Sequence, residues 1–192
     1  AASASFAGTI MVRGGGSLGA FEAGALYYVA ALAEKNPGLV DLRLVTGTSA
    51  GSINAVLGVV EECTALAPNP TESLYFKTWA GIGLSDLFDP ARAGATGIFT
   101  RDPLNKLVEA VKARWQAGLD ARCDMVIGIP VTRVVPRRLP IADRNQMDVA
   151  RVDERFVVRI RGRGPGVPPS MTNYLARNAS VAAPALVTDD QG

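Results

Sequence analysis

The sequence predicts an α/β fold built around a mostly parallel sheet, and three observations carry this prediction. Residues 6–12, FAGTIMV, form an apolar run of strand length that leads directly into a glycine-rich loop, GGGSLG. A run of helix-forming residues, AFEAGALYYVAALAEK, separates this strand from a second one, DLRLVTG. A strand, loop, helix and strand within about 45 residues are typical of a βαβ unit, whose two strands are parallel and joined by a right-handed crossover.

The remaining elements follow from the same patterning. The first helix is apolar on most of its faces, which predicts that it is largely buried. A second buried helix is expected over AGSINAVLGVVEE, a short one over ESLYFKTWAGI, and an amphipathic one over DPLNKLVEAVKARWQAG from Asp102. CDMVIGIPVTRVV and ERFVVRIRG read as strands, and MTNYLARNASVAAPAL as a final helix that ends before Pro184.

The length and composition of the chain exclude several classes of function. The 192 residues suit a single domain, residues 1–192, with 48% hydrophobic and 20% charged residues. A net charge of +2 argues against nucleic acid as a partner. The absence of histidine and the presence of two cysteines, Cys63 and Cys123, argue against a zinc site, and no cofactor or metal is expected. We expect both cysteines to be free buried thiols.

No membrane span is predicted. The longest uncharged run, Leu44 to Val60, is shorter than a transmembrane helix and rich in glycine, serine and threonine. We interpret it as a strand, a turn and a buried helix. The chain is therefore expected to be soluble or peripheral at a membrane.

The turn between the second strand and the second helix carries the pattern G-T-S-A-G, from Gly47 to Gly51. This spacing is typical of a serine nucleophile on a sharp strand-to-helix turn, where small residues on either side relieve crowding. Ser49 is thus the candidate nucleophile. A serine hydroxyl needs a base, most often histidine, and this chain has none.

The glycine loop after the first strand is a candidate anion site, because consecutive glycines let backbone N–H groups point at an anion. One such anion is a nucleotide phosphate, since Gly14, Gly16 and Gly19 match G-x-G-x-x-G. Another is the oxyanion of an acyl-transfer reaction. A third interpretation is a tight turn without a ligand. The second strand ends in a nucleophile turn, which favours the oxyanion.

Three stretches together resemble the patatin-like phospholipases: GGGSLGAFEAGAL, then GTSAGSINA after one βαβ unit, then ASVAAP at Ala179–Pro184. The resemblance implies a three-layer α/β/α domain with a mostly parallel central sheet. It also implies a serine–aspartate dyad, which needs no histidine. Ser49 would be the nucleophile, and backbone N–H groups of Gly14, Gly15 and Gly16 would hold the oxyanion. Gly19, Gly47 and Gly51 complete the two motifs.

The aspartate of the dyad is the point where the sequence departs from the family pattern. The family places it in D-G-G or D-G-A, and neither tripeptide occurs here. Asp190, in DDQG, is one candidate for the base. The alternative is an aspartate beyond residue 192, so that the domain lacks its natural C-terminal part.

The expected function is hydrolysis of lipid acyl esters, of the phospholipase A or lysophospholipase type, with a phospholipid or another acyl lipid as substrate. Alternatives are an acyltransferase or thioesterase on the same dyad, and a non-catalytic lipid- or nucleotide-binding module. The basic stretches RVVPRRLP and RIRGRG suit peripheral contact with anionic lipid headgroups, and solvated surface charge explains them equally well. The apolar residues of Gly81–Phe88 suggest either a lipid-facing lid or a piece of core. Oligomeric state and compartment are left open.

Overall fold

The fold is an α/β domain in which helices pack on a five-stranded sheet. The computed structural model describes residues 6–15, 18–36, 40–83, 86, 102–140 and 148–175. The strands are β1 (Phe6–Val12), β2 (Val40–Gly47), β3 (Asp124–Pro140), β4 (Asp148–Arg161) and β5 (Ser170–Asn173). The helices are α1 (Gly19–Lys35), α2 (Ala50–Glu62), α3 (Leu74–Trp79) and α4 (Asp102–Ala117), with one turn of 3-10 helix at Pro70–Glu72.

The strands lie in the sheet in chain order, β1-β2-β3-β4-β5. β1, β2 and β3 are parallel neighbours, β4 is antiparallel to β3, and β5 is antiparallel to β4. Four of the five strands therefore run in the same direction, which confirms the mostly parallel sheet. β3 and β4 form a long hairpin whose ladder runs from Asp124↔Arg161 to Pro140↔Asp148.

Helix α2 lies at the centre of the core. On one side Ala55 and Val59 pack against strand residues Val45, Met125 and Ile127. On the other side α2 meets α1 and α3 in a second apolar cluster, whose buried members are Val12, Ala23, Leu26, Leu57, Val60, Leu74 and Tyr75. Burial on both sides explains why AGSINAVLGVV is apolar almost throughout.

The described helices all cover one face of the sheet. Alternate side chains of a strand point to opposite faces. In β1, Ile10 and Val12 belong to the clusters shared with the helices, whereas Met11 between them is 77% exposed. The second helical layer of the expected architecture is not found among the described residues and stays a prediction.

Helix α1 is less buried than its sequence predicts. Only Gly19, Ala23, Leu26 and Ala30 are buried, whereas Phe21 and Tyr28 are exposed. The helix has a neighbour on one side alone within the described part of the chain. Its apolar composition therefore did not determine how many of its faces are covered.

The final helix predicted over MTNYLARNASVAAPAL is wrong at its start, because Ser170–Asn173 is strand β5. The open edge of β4 provides the backbone partners, from Val158↔Asn173 to Arg161↔Ser170. Pairing with a strand distant in sequence overrides the local helix preference. Residues 176–192, which include the rest of the predicted helix, lie outside the described residues.

The prediction of free thiols is also wrong: Cys63 and Cys123 form a disulfide, with their Cα atoms 5.2 Å apart. Cys63 follows α2 and Cys123 precedes β3, and the backbone N–H of Asp120 donates to the Cys63 carbonyl at 2.8 Å. This contact brings the end of the helix to the start of the strand. The two cysteines are buried, as expected.

Candidate active site

Ser49 occupies the turn between β2 and α2 in a strained backbone conformation. Its φ of 54° makes it the one non-glycine residue with positive φ among those described, and its ψ is −126°. Such a conformation is unfavourable for a residue with a Cβ and typical of a serine raised on a nucleophile turn. The side chain is exposed and makes no capping hydrogen bond to α2.

Gly47 and Gly51 are required by the sharpness of this turn. A Cβ on Gly47 would overlap the carbonyl oxygen of Gly51. A Cβ on Gly51 would lie 2.7 Å from the carbonyl oxygens of both Val12 and Arg13. The absence of side chains at both positions lets the chain reverse between β2 and α2 while β1 passes alongside.

The glycine loop after β1 lies directly against the serine. β1 and β2 end side by side at the pair Val12↔Gly47, and the Thr48 N–H donates to the Val12 carbonyl at 3.3 Å. A Cβ on Gly14 would be 3.0 Å from both the Ser49 Cβ and the Thr48 carbonyl oxygen. The two sequence motifs therefore meet, because parallel strands present their carboxyl ends at one edge of the sheet.

Gly15 and Gly19 have different roles within the loop. The Gly15 carbonyl accepts a hydrogen bond of 2.9 Å from the Leu18 N–H, which closes the turn into α1. Gly19, the first residue of α1, lies under the ring of Trp79, and a Cβ there would be 2.6 Å from the Trp79 Cζ2. Gly19 is thus explained by packing between α1 and α3.

Asn54 is a residue that the sequence analysis missed. It lies on α2, one and a half turns after Ser49, and is fully buried. Its amide nitrogen donates to the Gly19 carbonyl at 2.9 Å, and its amide oxygen accepts from the Trp79 Nε1 at 2.7 Å. One side chain therefore ties α2, the helix that follows Ser49, to the end of the glycine loop. A single amide in the apolar central part of α2 was the available signal.

The start of α2 favours negative charge near Ser49. Its first turn holds no acidic residue, and the positive end of the helix dipole lies at the serine. The N–H groups of Gly51 and Ser52 donate at 2.9 Å to the carbonyls of Thr48 and Ser49. These two donors are engaged within the turn itself.

Several predicted site residues lie outside the described part of the chain. They are Gly16 of the glycine loop, Asp190, the Ala179–Pro184 stretch, and four residues of the Gly81–Phe88 segment. Within the described ranges no group of three or more potential ligands is arranged to hold a metal ion. No described helix is both long enough and apolar enough to cross a membrane.

Comparison with known proteins adds the family. Neither the curated proteins nor the solved structures contain a match to this chain. A family model, that of the patatin-like phospholipases, matches residues 10–173. The matched range includes the glycine loop, the Ser49 turn, Asn54 and the sheet from Ile10, within β1, to Asn173. The chain therefore belongs to the patatin-like phospholipases, a family of lipid acyl hydrolases.

Proposed function

We propose that this protein hydrolyses carboxylic esters of phospholipids or lysophospholipids, with Ser49 as the nucleophile. The observation that carries the proposal is the strained, exposed Ser49 held against Gly14 at the end of the parallel strands. A bound ester carbonyl could meet the hydroxyl and the backbone of the glycine loop at once. The Gly51 and Ser52 N–H groups are engaged in the turn, so the facing loop, Gly14 to Gly16, is the proposed oxyanion hole.

In the proposed reaction an aspartate takes the Ser49 proton as the hydroxyl oxygen bonds to the ester carbon. The carbonyl π electrons move onto oxygen, and backbone N–H groups of the loop stabilise that charge. When the carbonyl re-forms, the ester C–O bond breaks and the aspartic acid protonates the leaving alcohol. Water then attacks the acyl-serine by the same route, releases the fatty acid and restores the serine.

The proton acceptor is the second part of the proposal. The chain contains no histidine, which suits a serine–aspartate dyad. Asp190 is the candidate within the sequence, and the alternative is an aspartate beyond residue 192. The family match ends at residue 173, before either position.

Labelling with a long-chain fluorophosphonate, read by intact mass, tests the nucleophile. We expect one adduct on the wild type and none on Ser49→Ala. Ser170→Ala is the matched control, because Ser170 lies on β5, away from the turn that holds Ser49, and should label like the wild type. No adduct on the folded wild-type chain, or an adduct that persists in Ser49→Ala, would overturn the assignment.

Asp190→Asn separates the two candidates for the base. If Asp190 is the base, labelling of Asp190→Asn should slow by about a hundredfold or more, within the usual range for a lost general base. An unchanged rate would assign the base to another carboxylate. Hydrolysis of defined phospholipids, with the released fatty acid and lysolipid identified by mass, then tests the phospholipase activity.

A further inference from the structure

We propose that the outer part of the β3–β4 hairpin docks the active-site edge of this domain onto an anionic lipid surface. The inference rests on the proposed function, since it describes how a lipid ester is brought to Ser49. We call this outer part the hairpin arm, and it comprises residues 129–140 of β3 and 148–157 of β4.

The register of the sheet places the arm on the same side as Ser49. β2 pairs with β3 from Leu44↔Val126 to Thr46↔Gly128 and ends at Gly47, two residues before Ser49. β3 is parallel to β2 and continues in the same direction as far as Pro140, where β4 is its one partner among the described residues. Twelve further residues of strand extend on the order of 30–40 Å. The arm therefore projects beyond the edge at which the serine lies.

The arm has little support from the rest of the described structure. β5, the neighbour of β4, pairs with it only as far as Val158↔Asn173, next to the base of the arm, where the Tyr174 N–H also donates to the Val157 carbonyl at 2.8 Å. Beyond that pair the ladder from Ile129↔Phe156 to Pro140↔Asp148 joins only the two strands of the arm within the described residues. Most of its side chains are exposed.

The arm is basic. It contains five arginines against three carboxylates, Asp148 included. Arg133 forms an ion pair with Glu154 at 2.9 Å, and Arg151 forms one with Asp153 at 3.3 Å. Arg138 and Arg155 are exposed, and neither forms an ion pair with any residue that the structure describes. Exposed guanidinium groups that are not engaged in ion pairs attract the phosphate groups of anionic lipids.

Exposed apolar side chains lie among these cations. Val134 is 98% exposed and Val135 is 72% exposed, in the stretch of β3 where the register shifts. Phe156, on β4, is 49% exposed. A bilayer interface accommodates both kinds of group, with guanidinium groups at the phosphates and aliphatic groups at the acyl boundary. A nucleic acid would engage the arginines and leave the valines without apolar partners, which favours lipid.

Co-sedimentation with vesicles tests the arm separately from catalysis. The probes are vesicles of phosphatidylcholine alone and vesicles in which about one lipid in three is phosphatidylglycerol. All proteins carry Ser49→Ala, so that no ester is consumed. We expect binding to the phosphatidylglycerol vesicles that weakens with added salt, and much weaker binding to phosphatidylcholine.

Two pairs of substitutions address the two features of the arm. Arg138→Glu with Arg155→Glu should lower partitioning onto phosphatidylglycerol vesicles by at least about tenfold. Val134→Ser with Val135→Ser, at exposed positions, should lower it several-fold on the same vesicles. Lys35→Glu with Arg163→Glu is the matched control, since it reverses two exposed charges at the opposite edge of the sheet, one on the last residue of α1 and one just after β4. This control should bind like the parent.

The proposal is overturned if the parent protein does not bind the anionic vesicles, or if the control pair loses as much binding as the arm pair. It is also overturned if an added DNA oligomer binds the protein in preference to the vesicles. Fluorophosphonate labelling of the arm variants with Ser49 intact identifies which proposal has failed. Normal labelling without lipid binding would reject the arm alone, and absent labelling in the wild type would reject the proposed function.

Discussion

Gly14 and Ser49 are in contact across the two halves of the candidate site: a Cβ on Gly14 would lie 3.0 Å from the Ser49 Cβ. Gly14 follows β1 and Ser49 follows β2, so 34 residues of helix and strand separate them in the chain while the parallel pairing brings them together. A gap this narrow means that the position of the loop determines what can bind to the serine.

Gly14→Ala should slow fluorophosphonate labelling of Ser49 strongly while the protein remains folded. The added methyl group must push the loop away from the serine, which moves the proposed oxyanion donors out of line. Loss of one such donor reduces kcat by about 100- to 1,000-fold. The measurements are fluorophosphonate labelling rate and ester hydrolysis on folded protein.

Gly24→Ala is the control for this change. Gly24 lies on the exposed side of α1, and a Cβ there would meet nothing within 4 Å. This substitution should stabilise the helix by about 0.5–1 kcal/mol and leave the labelling rate unchanged. Equal rates for Gly14→Ala and the wild type would contradict the proposed role of the loop.

Replacing Ser49 with glycine should stabilise the protein relative to replacing it with alanine. The φ of 54° and ψ of −126° are unfavourable for alanine and accessible to glycine. We expect Ser49→Gly to unfold at a higher urea concentration than Ser49→Ala, by about 1–2 kcal/mol in free energy. Ser52→Gly, inside α2, should show the reverse sign against Ser52→Ala, because glycine destabilises a helix interior. Equal stability of the two Ser49 variants would show that the turn is not strained.

Asn54 should affect turnover more than substrate affinity, because it holds the end of the glycine loop against α2. Asn54→Leu removes the bonds to the Gly19 carbonyl and the Trp79 Nε1, with an expected loss of about 1–3 kcal/mol in the free energy of unfolding. We expect kcat to fall by about tenfold with KM changed little, since the proposed oxyanion donors of the loop would act on the transition state. Trp79→Phe, which loses one of the two bonds, should show a smaller effect of the same kind.

Tyr27→Phe is the matched control for Asn54→Leu. It also removes a hydrogen bond that anchors α1, from the Tyr27 hydroxyl to the Ala67 carbonyl at 2.8 Å, but that bond is remote from the loop. It should lower stability by about 1 kcal/mol and leave kcat unchanged. If Tyr27→Phe lowered kcat as much as Asn54→Leu, the effect would be one of general stability.

Glu62, the last residue of α2, should make the protein less stable as the pH rises. Burial, with a smaller contribution from the nearby Glu34 carboxylate, raises the pKa of Glu62 from 4.5 to about 7. The folded state therefore holds a proton that the unfolded state releases. Stability from this group is complete below pH 4.5 and is lost as the pH rises to about 7. Because the side chain is partly exposed, we expect a loss on the order of 1–2 kcal/mol.

Urea unfolding at several pH values checks this expectation for Glu62. Glu62→Gln should flatten the decline between pH 5 and 7, and Glu34→Gln should flatten it less, because burial is the larger cause of the shift. The chain contains no histidine, so few other groups titrate in this window. The expectation fails if Glu62→Gln declines as steeply as the wild type.

Local patterns in the sequence predicted the βαβ unit and the position of Ser49 on the turn between its second strand and the following helix. The strands β1 and β2 and the helices α1 and α2 follow from apolar runs separated by glycine turns. The contact between Gly14 and Ser49 follows from the pairing of β1 and β2, because parallel neighbouring strands end at the same edge of the sheet. Gly47, Gly51 and Ser49 belong to one tight turn, whose spacing is visible in five consecutive residues.

Features that depend on distant partners were not predictable in this way. Ser170–Asn173 is a strand because the edge of β4 is open beside it, and no local pattern shows that edge. Cys63 and Cys123 are 60 residues apart, and their pairing depends on where α2 ends relative to β3. Asn54 was visible as a polar residue in an apolar helix, but its partners, Gly19 and Trp79, are identified only by the packing of three helices.

The disulfide between Cys63 and Cys123 has a consequence for the integrity of a cleaved chain. It spans 60 residues of sequence, which include α3 and α4. A protease that cuts once anywhere inside this loop leaves two fragments joined through sulfur. The N-terminal fragment carries Ser49 and the C-terminal one carries the hairpin arm. They would migrate together on a gel until a reductant is added, so a chain nicked in this loop keeps Ser49, the proposed nucleophile, covalently linked to the hairpin arm.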